Sequence, residues 1–334
     1  MNIERPGFVT VEDYIKLPRD HSTWLIKPLL PASGAGLIYS PPKVGKSAMA
    51  VQLAHAVAGG AEEWMGFPIG KHGRVLYLQL DTPRSTWALR FEALKKFGFE
   101  FNRNLMLADR ESLNFYPFDI LQPPHQRYLQ GIVQALNPIL VIVDTLRKLH
   151  TGDENSSTVM SNVMSNLIGA CHPAAVIIIS HDKKPVADVE KDIMSDHRGS
   201  SSVVAEMDAI IRLTKTRLYY AGRNIEEGNI KLVRQPCDDT LVWAPDPDEH
   251  KGALESVLEN QELPTMRAKA RALAPIIGKS EEAAMSLIRR SMGRPKVKTD
   301  APQAQSVAEV RRQQDAKVAG WFKDSPSTPS SPSA

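Results

Sequence analysis

An α/β domain built on a mainly parallel, twisted sheet, followed by a small α-helical module and a flexible tail, is the fold class that the sequence predicts. Three observations carry it. Apolar runs of strand length alternate with segments of helical period from "AGLIYS" to "VIIISH". One of these runs, "ILVIVD", is so uniformly apolar and β-branched that a central strand covered on both faces suits it best. Beyond "PDPDEH" the strand signals stop, and three short helical patterns lead into a Ser/Pro-rich end.

Taken in order, residues 1–33 read as an N-terminal lead-in that runs into the turn signal "SGAG". Residues 34–245 read as one domain. "AGLIYS" is a strand, and "GKSAMAVQLAHAVAGG" places Met49, Val51, Leu53, Ala54 and Val57 at helical spacing before Gly59 and Gly60 close the helix. "GRVLYLQLD" is a second buried strand. Pro83 opens a helix through Trp87, Leu89, Phe91 and Leu94 that stops at Gly98. "NLMLA" is a short strand, prolines bracket the helix "PPHQRYLQGIVQALNP", and a helix over Ser157 to Ala170 joins "ILVIVD" to "AVIIISH". The polar, aperiodic stretch from Asp182 to Ser202 reads as a mobile loop. "DAIIRLTKT", "RLYYAGR", "NIKLVRQ" and "TLVWAP" read as short antiparallel strands, with "EEGN" as a hairpin turn. Residues 246–299 then form the helical module, its third helix opened by Ser280, and residues 300–334 a basic and then Ser/Pro-rich flexible tail.

Composition bounds the function. With 334 residues, 42% of them hydrophobic and 24% charged, the chain is an ordinary globular protein with a sizeable core. No run approaches the ~18 apolar residues of a membrane span, and the first residues, "MNIERPGFVTVEDY", lack the pattern of a secretory leader. A cytoplasmic location without membrane partners is therefore expected. Two isolated cysteines, Cys171 and Cys237, exclude a disulfide framework or a zinc site and read as small buried residues. From His250 onward 14 Lys and Arg face 9 Asp and Glu, so a polyanion would meet the basic C-terminal part.

The stretch "YSPPKVGKSA" carries the chemistry. A phosphate-binding loop asks for G-x-x-x-x-G-K-[ST] between a strand and a helix, so that backbone N–H groups and the helix N-terminus surround phosphates. Here Ser40 holds the first glycine's place, Pro41, Pro42, Lys43 and Val44 fill the loop, and Gly45, Lys46, Ser47 and Ala48 supply the rest. Lys46 would reach the β- and γ-phosphates of ATP, and Ser47 would bind Mg²⁺. Pro41 and Pro42 fix φ where no amide is offered, and Lys43 either adds charge near phosphate or faces solvent. A second carboxylate must help hold the metal from a neighbouring strand end. Asp144, closing "ILVIVD", is the candidate, with a turn or helix-cap role as its other reading. Asp81 closes "VLYLQLD" and would orient the attacking water, or else cap the helix that Pro83 opens.

These blocks, "YSPPKVGKSAMAVQLA", "VLYLQLDTP", "ILVIVDTLRKLHTGDENSS", "VIIISHDKK" and "HRGSSSVV", occur in the order seen in RecA-like P-loop ATPases of the RepA type. That family comprises hexameric replicative helicases of plasmids and phages, relatives of KaiC and DnaB. The chain resembles it over about Trp24 to Trp243. The resemblance implies a RecA-like core, ATP and Mg²⁺ as cofactors, a ring of six copies, single-stranded DNA as partner and contact with other replication proteins. It implies that Ser40 is tolerated, that Asp144 is the metal carboxylate, and that Asp81 stands where the family has a longer catalytic glutamate. By the same resemblance His181 senses the γ-phosphate; outside the family a strand-end histidine is an ordinary structural residue.

Hexameric relatives complete each site with an arginine from the next subunit. Arg223 is the first candidate here, followed by Arg217 and Lys215, each of which also reads as a solvated strand-edge cation. For DNA the candidates are Lys183, Lys184, Lys191 and Arg198 in the 182–202 stretch, which is also rich in acids and so equally reads as a solvated loop. Arg267, Lys269, Arg271, Arg289, Arg290, Arg294, Lys296 and Lys298 give the helical module a helix-turn-helix-like look. Base reading, phosphate contact, protein docking and a solvated cap remain open for it. Two functions follow: a helicase moving on single-stranded DNA, or a DNA-binding regulatory or loader ATPase of a mobile element that does not unwind.

Overall fold

The runs Ala35–Ser40, Val75–Gln79 and Leu140–Asp144 bury every residue, because helices cover both faces of a parallel sheet and leave it no solvent side. They belong to a computed structural model that describes residues 10–16, 23–113, 117–181, 201–246, 249, 251–260, 262–277 and 281–292.

The chain opens with helix α1 (Val11–Lys16) and strands β1 (Trp24–Ile26), β2 (Leu30–Pro31) and β3 (Ala35–Ser40). Helix α2 (Lys46–Gly59) leads to a small hairpin of β4 (Glu63–Trp64) and β5 (Phe67–Pro68), then to β6 (Val75–Gln79). There follow α3 (Arg84–Phe97), β7 (Leu105–Asp109), α4 (Pro123–Leu136), β8 (Leu140–Asp144), a 3-10 turn (Leu146–Lys148), α5 (Ser157–Cys171) and β9 (Ala175–His181). A short helix α6 (Ser201–Ala205) precedes β10 (Ala209–Leu213), β11 (Arg217–Gly222), β12 (Ile225–Cys237) and β13 (Thr240–Pro245). Helices α7 (Lys251–Glu259), α8 (Met266–Ile276) and α9 (Glu281–Met292) end the described chain.

The main sheet has the order β13-β12-β11-β10-β3-β9-β8-β6-β7. β7, β6, β8, β9, β3 and β10 run parallel, and β10 to β13 pair antiparallel. Two expectations are corrected here. The strand of "DAIIRLTKT" pairs antiparallel with β11 as expected, but on its other side it joins β3 in parallel, starting beside Gly36 at the amino end of β3. "EEGN" lies inside the long β12, and the two-residue turn is Arg223-Asn224, since Gly222 pairs with Ile225. Gly228 serves packing there: a Cβ on it would lie 2.4 Å from the Tyr220 hydroxyl on the opposite strand.

Two apolar layers flank the sheet, one under α2 and α3 and one under α4 and α5. The first also takes in Leu25, Ile26, Leu29 and Leu30 from the β1–β2 hairpin. Helix α2 is buried on nearly all sides, as suits a helix apolar all round. It packs against β3, β6, β7 and β8 in the middle of the sheet and against β13 at the sheet's end, where Gln52 donates to Trp243 O. α7, α8 and α9 gather around Val257, Ala270, Leu273, Ala274, Ala284 and Ile288 in a small cluster of their own. Ser280 lies outside the described residues. Among the described residues, no helix is long and apolar enough to cross a membrane.

Candidate functional site

Chain that leaves β3 must turn sharply to start α2, and two residues take the left-handed region to do so: Lys43 at φ 63° and Gly45 at φ 110°. Gly45 is needed twice over. Its φ favours glycine, and a Cβ would meet Leu241 Cδ1 at 2.9 Å and the Trp243 indole nitrogen at 3.1 Å. Ser40 and Val44 are buried, Pro41 is half-buried, and Pro42 and Lys43 are exposed. Ser47 and Ala48, half-buried, form the first turn of α2. Its N-terminus faces the loop with amides that have no side-chain cap, the arrangement that attracts anions.

Lys46 is buried, with its ammonium turned back into the loop. Nζ donates to Ser40 O at 3.1 Å, Ser40 Oγ at 3.2 Å and Pro41 O at 3.3 Å, and lies 3.1 Å from His181 Nδ1. Thus Ser40, in the place of the usual glycine, becomes part of the lysine's cradle. The contact with Nδ1 is a hydrogen bond only when His181 is neutral at that nitrogen. Burial first, and then the Lys46 charge, lower the His181 pKa below 6.5, which favours that form. The β3–β9 ladder brings the two together, since Ser40 and His181 are opposite residues.

Asp144 closes β8 and is 2% exposed. Tyr77 Oη donates to its Oδ2 at 2.8 Å, and Ser47 bonds to the carboxylate as well. Burial and, less strongly, the charge of Asp81 raise its pKa, while the bonds from Ser47 and Tyr77 and the charge of Lys46 oppose the rise. Asp81 is exposed at the strand end and acts electrostatically on both Asp144 and His181. Lys46, Ser47, Asp81, Asp144 and His181 therefore meet at the carboxyl ends of β3, β6, β8 and β9, where ligands of open α/β sheets bind.

Arg223 is elsewhere. Gly222 pairs with Ala209, and Ala209 with Gly36, so Arg223 sits at the amino ends of the parallel strands. The length of β3, roughly 17 Å, separates it from its own phosphate loop. Its guanidinium donates to Ala205 O at 2.8 Å and lies 3.6 Å from Asp208 Oδ1. Arg217 and Lys215 lie at the loop's end of the sheet, Arg217 bonded to Asn229 and Glu249 and Lys215 exposed. Lys183, Lys184, Lys191 and Arg198 lie outside the described residues, as do Arg294, Lys296, Lys298 and the side chain of Arg290. Arg289 is exposed on α9. The three cations of α8 make contacts among the helices: Arg267 and Arg271 reach Glu281 at 3.3 and 3.6 Å, and Lys269 donates to Leu258 O.

Four residues that sequence reasoning passed over complete the surroundings. Tyr77 and Gln79 alternate with apolar residues, a period of two that places both on one face of β6, and Asp81 follows two residues past its end. Gln52 and Trp243 have no local signal. The Gln52 carboxamide donates to Trp243 O at 2.9 Å and accepts from Trp243 N at 2.8 Å, and the Trp243 indole donates to Gly45 O at 3.3 Å. β13 is thereby fixed to the loop from above.

The donor set fits Mg²⁺ with a nucleotide: the Ser47 hydroxyl and Asp144 carboxylate are hard oxygen ligands, and the buried carboxamide of Gln79 beside them lacks any partner. A family model described as "AAA domain" matches residues 2–187. Among solved structures, a KaiC-like protein from the hyperthermophilic archaeon Pyrococcus horikoshii OT3 is similar, at 17% identity over 68% of this chain and 99% of its own, with a TM-score of 0.44. A DnaB-like replicative helicase, described with its interactions with primase, is similar at 15% identity. That match spans 63% of this chain and 57% of the helicase, with a TM-score of 0.47.

Proposed function

The chain belongs to the AAA domain family, and on that premise we propose that it is a RecA-like P-loop ATPase that hydrolyses Mg·ATP between the copies of a ring and moves on single-stranded DNA, as RepA-type helicases do. One observation supports this most: the 3.1 Å contact between Lys46 and His181. It ties the phosphate-binding lysine to the residue that opens the 182–200 segment, where the DNA-binding candidates Lys183, Lys184, Lys191 and Arg198 lie. Phosphate arriving at Lys46 competes with His181 for its ammonium, so nucleotide occupancy acts on the chain that would hold DNA.

In this reading the loop amides and the start of α2 hold the phosphates, and Lys46 balances the charge that builds on them. Ser47 and Asp144 hold the metal, with Tyr77 fixing the carboxylate's orientation. Bound Mg²⁺ supplies charge neutralisation at the phosphoryl oxygens. Asp81, at the rim, orients the attacking water and draws on its proton. Arg223, at the edge remote from its own loop, serves the site of a neighbouring copy, which is why a ring is part of the proposal.

The test is turnover with and without single-stranded DNA, together with the mass of the assembly in ATP. DNA-stimulated turnover by a ring that also displaces a strand is expected of this cytoplasmic ATPase. Unchanged turnover by a monomer refutes it. A ring that hydrolyses ATP and binds DNA but displaces nothing favours the loader or regulatory ATPase.

A further inference from the structure

Gln79 ends β6 at 1% exposure, and neither atom of its carboxamide has a hydrogen-bond partner. Burying both ends unpartnered is costly, and native folds rarely do it without a reason. The ladder places Gln79 between two carboxylates, Asp109 on β7 and Asp144 on β8. Asp109 is already satisfied: Oδ1 accepts from Arg84 Nη2, Ser112 N and Ser112 Oγ, and Oδ2 accepts from Arg84 Nε at 2.6 Å. Asp144 is not, since Tyr77 and Ser47 account for only part of what a carboxylate accepts. The orphan carboxamide thus belongs with the metal pair.

Its chemistry narrows what it meets. A phosphate only accepts, and would leave the amide oxygen of Gln79 unpaired. A cation-bound water is a strong donor, and suits that oxygen, while an anionic oxygen suits the amide nitrogen. Mg²⁺ keeps several waters when it binds. We propose that Gln79 is a positioning residue for the hydrated divalent cation, its Oε1 accepting from a cation-bound water and its Nε2 donating to the Asp144 carboxylate beside it. The proposal rests on the reading of Ser47 and Asp144 as the metal pair.

Binding of a fluorescent ADP to the full chain, titrated with Mg²⁺ and repeated in EDTA, tests it in wild type and Gln79→Leu. The variant is expected to bind ADP in EDTA within about twofold of wild type, yet to need roughly tenfold more Mg²⁺ for the metal-dependent gain, the usual effect of losing an outer-shell partner. Its thermal midpoint should equal or exceed that of wild type, because leucine removes two orphaned polar atoms. An unchanged Mg²⁺ midpoint overturns the proposal, and so does a clear fall in thermal midpoint, which would mean the carboxamide is bonded within the fold. Gln79→Met gives the same readings should the leucine variant not fold. If wild type itself binds ADP with no Mg²⁺ dependence, the assignment of Ser47 and Asp144 fails, and the premise with it.

Discussion

Replacing Gln52 by methionine probes how β13 is held over the phosphate loop. β13 is the last strand of the sheet, and the backbone N–H and C=O of Trp243 point away from β12 toward α2. Gln52, 2% exposed, answers both at 2.8 and 2.9 Å, so one side chain does the work of a neighbouring strand. Methionine keeps the length and apolar stem but leaves both backbone groups buried without partners. Each orphan costs about 1–3 kcal/mol, roughly 2–6 kcal/mol for the pair. That is a large share of a typical ~5–15 kcal/mol stability. At about 2–4 °C per kcal/mol, the thermal midpoint should fall by roughly 4 °C at the least. Urea unfolding of wild type and Gln52→Met measures the difference directly, provided both show the same slope. An unfolding free energy for the methionine variant within about 0.5 kcal/mol of wild type, the range of neutral surface changes, would refute the argument, since Trp243 would then have other partners.

Three further outcomes are expected. Lys46→Ala and Arg223→Ala should each lose turnover, the second by about 10³-fold or more, while Arg223→Ala still binds nucleotide; mixing the two should restore part of the activity, and no recovery would count against a role between copies. Asp81→Glu, which restores the longer acid, should hydrolyse ATP at least as fast as wild type in a steady-state assay, whereas a large loss would assign Asp81 another task. Burial lowers the pKa of His55, His150 and His181 from 6.5, with Lys46 assisting at His181. The unfolded chain then binds more protons than the folded one just below that value, so stability is full above about pH 6.5 and is lost as pH falls through the lowered values. Urea midpoints between pH 7.5 and pH 5 should decline accordingly, and His55→Gln, which can still donate to Glu100 O, should decline less steeply.

Much of the core could be foreseen because each local signal agreed with its surroundings. "AGLIYS" is apolar at every position and β3 is buried at every position; Gly45 and Lys46 announce a strand-to-helix turn, and the backbone makes one there. The misreadings arise where a residue answers a distant partner. Gly228 looks like turn glycine, but its lack of a side chain makes room for Tyr220 across the ladder, and the turn falls to Arg223-Asn224 with no glycine in it. Gln52 looks like a polar position on a helix, and its meaning depends on a strand 191 residues away. Gln79 sits in an apolar run that gives no hint of two carboxylates flanking it, though its even spacing from Tyr77 does fix its face of β6.

The contact between Gly45 and Trp243 spans 198 residues, and this sets an order of events during synthesis. At about 5–20 residues per second, the strand that covers the loop leaves the ribosome roughly 10–40 s after the loop itself. Throughout that interval the side of α2 later covered by β13 faces water, an apolar surface open to chaperones and to wrong partners. The loop acquires its indole contact only when translation has passed Trp243. A chain arrested before β13 carries every residue of the phosphate loop, yet lacks the indole that donates to Gly45 O.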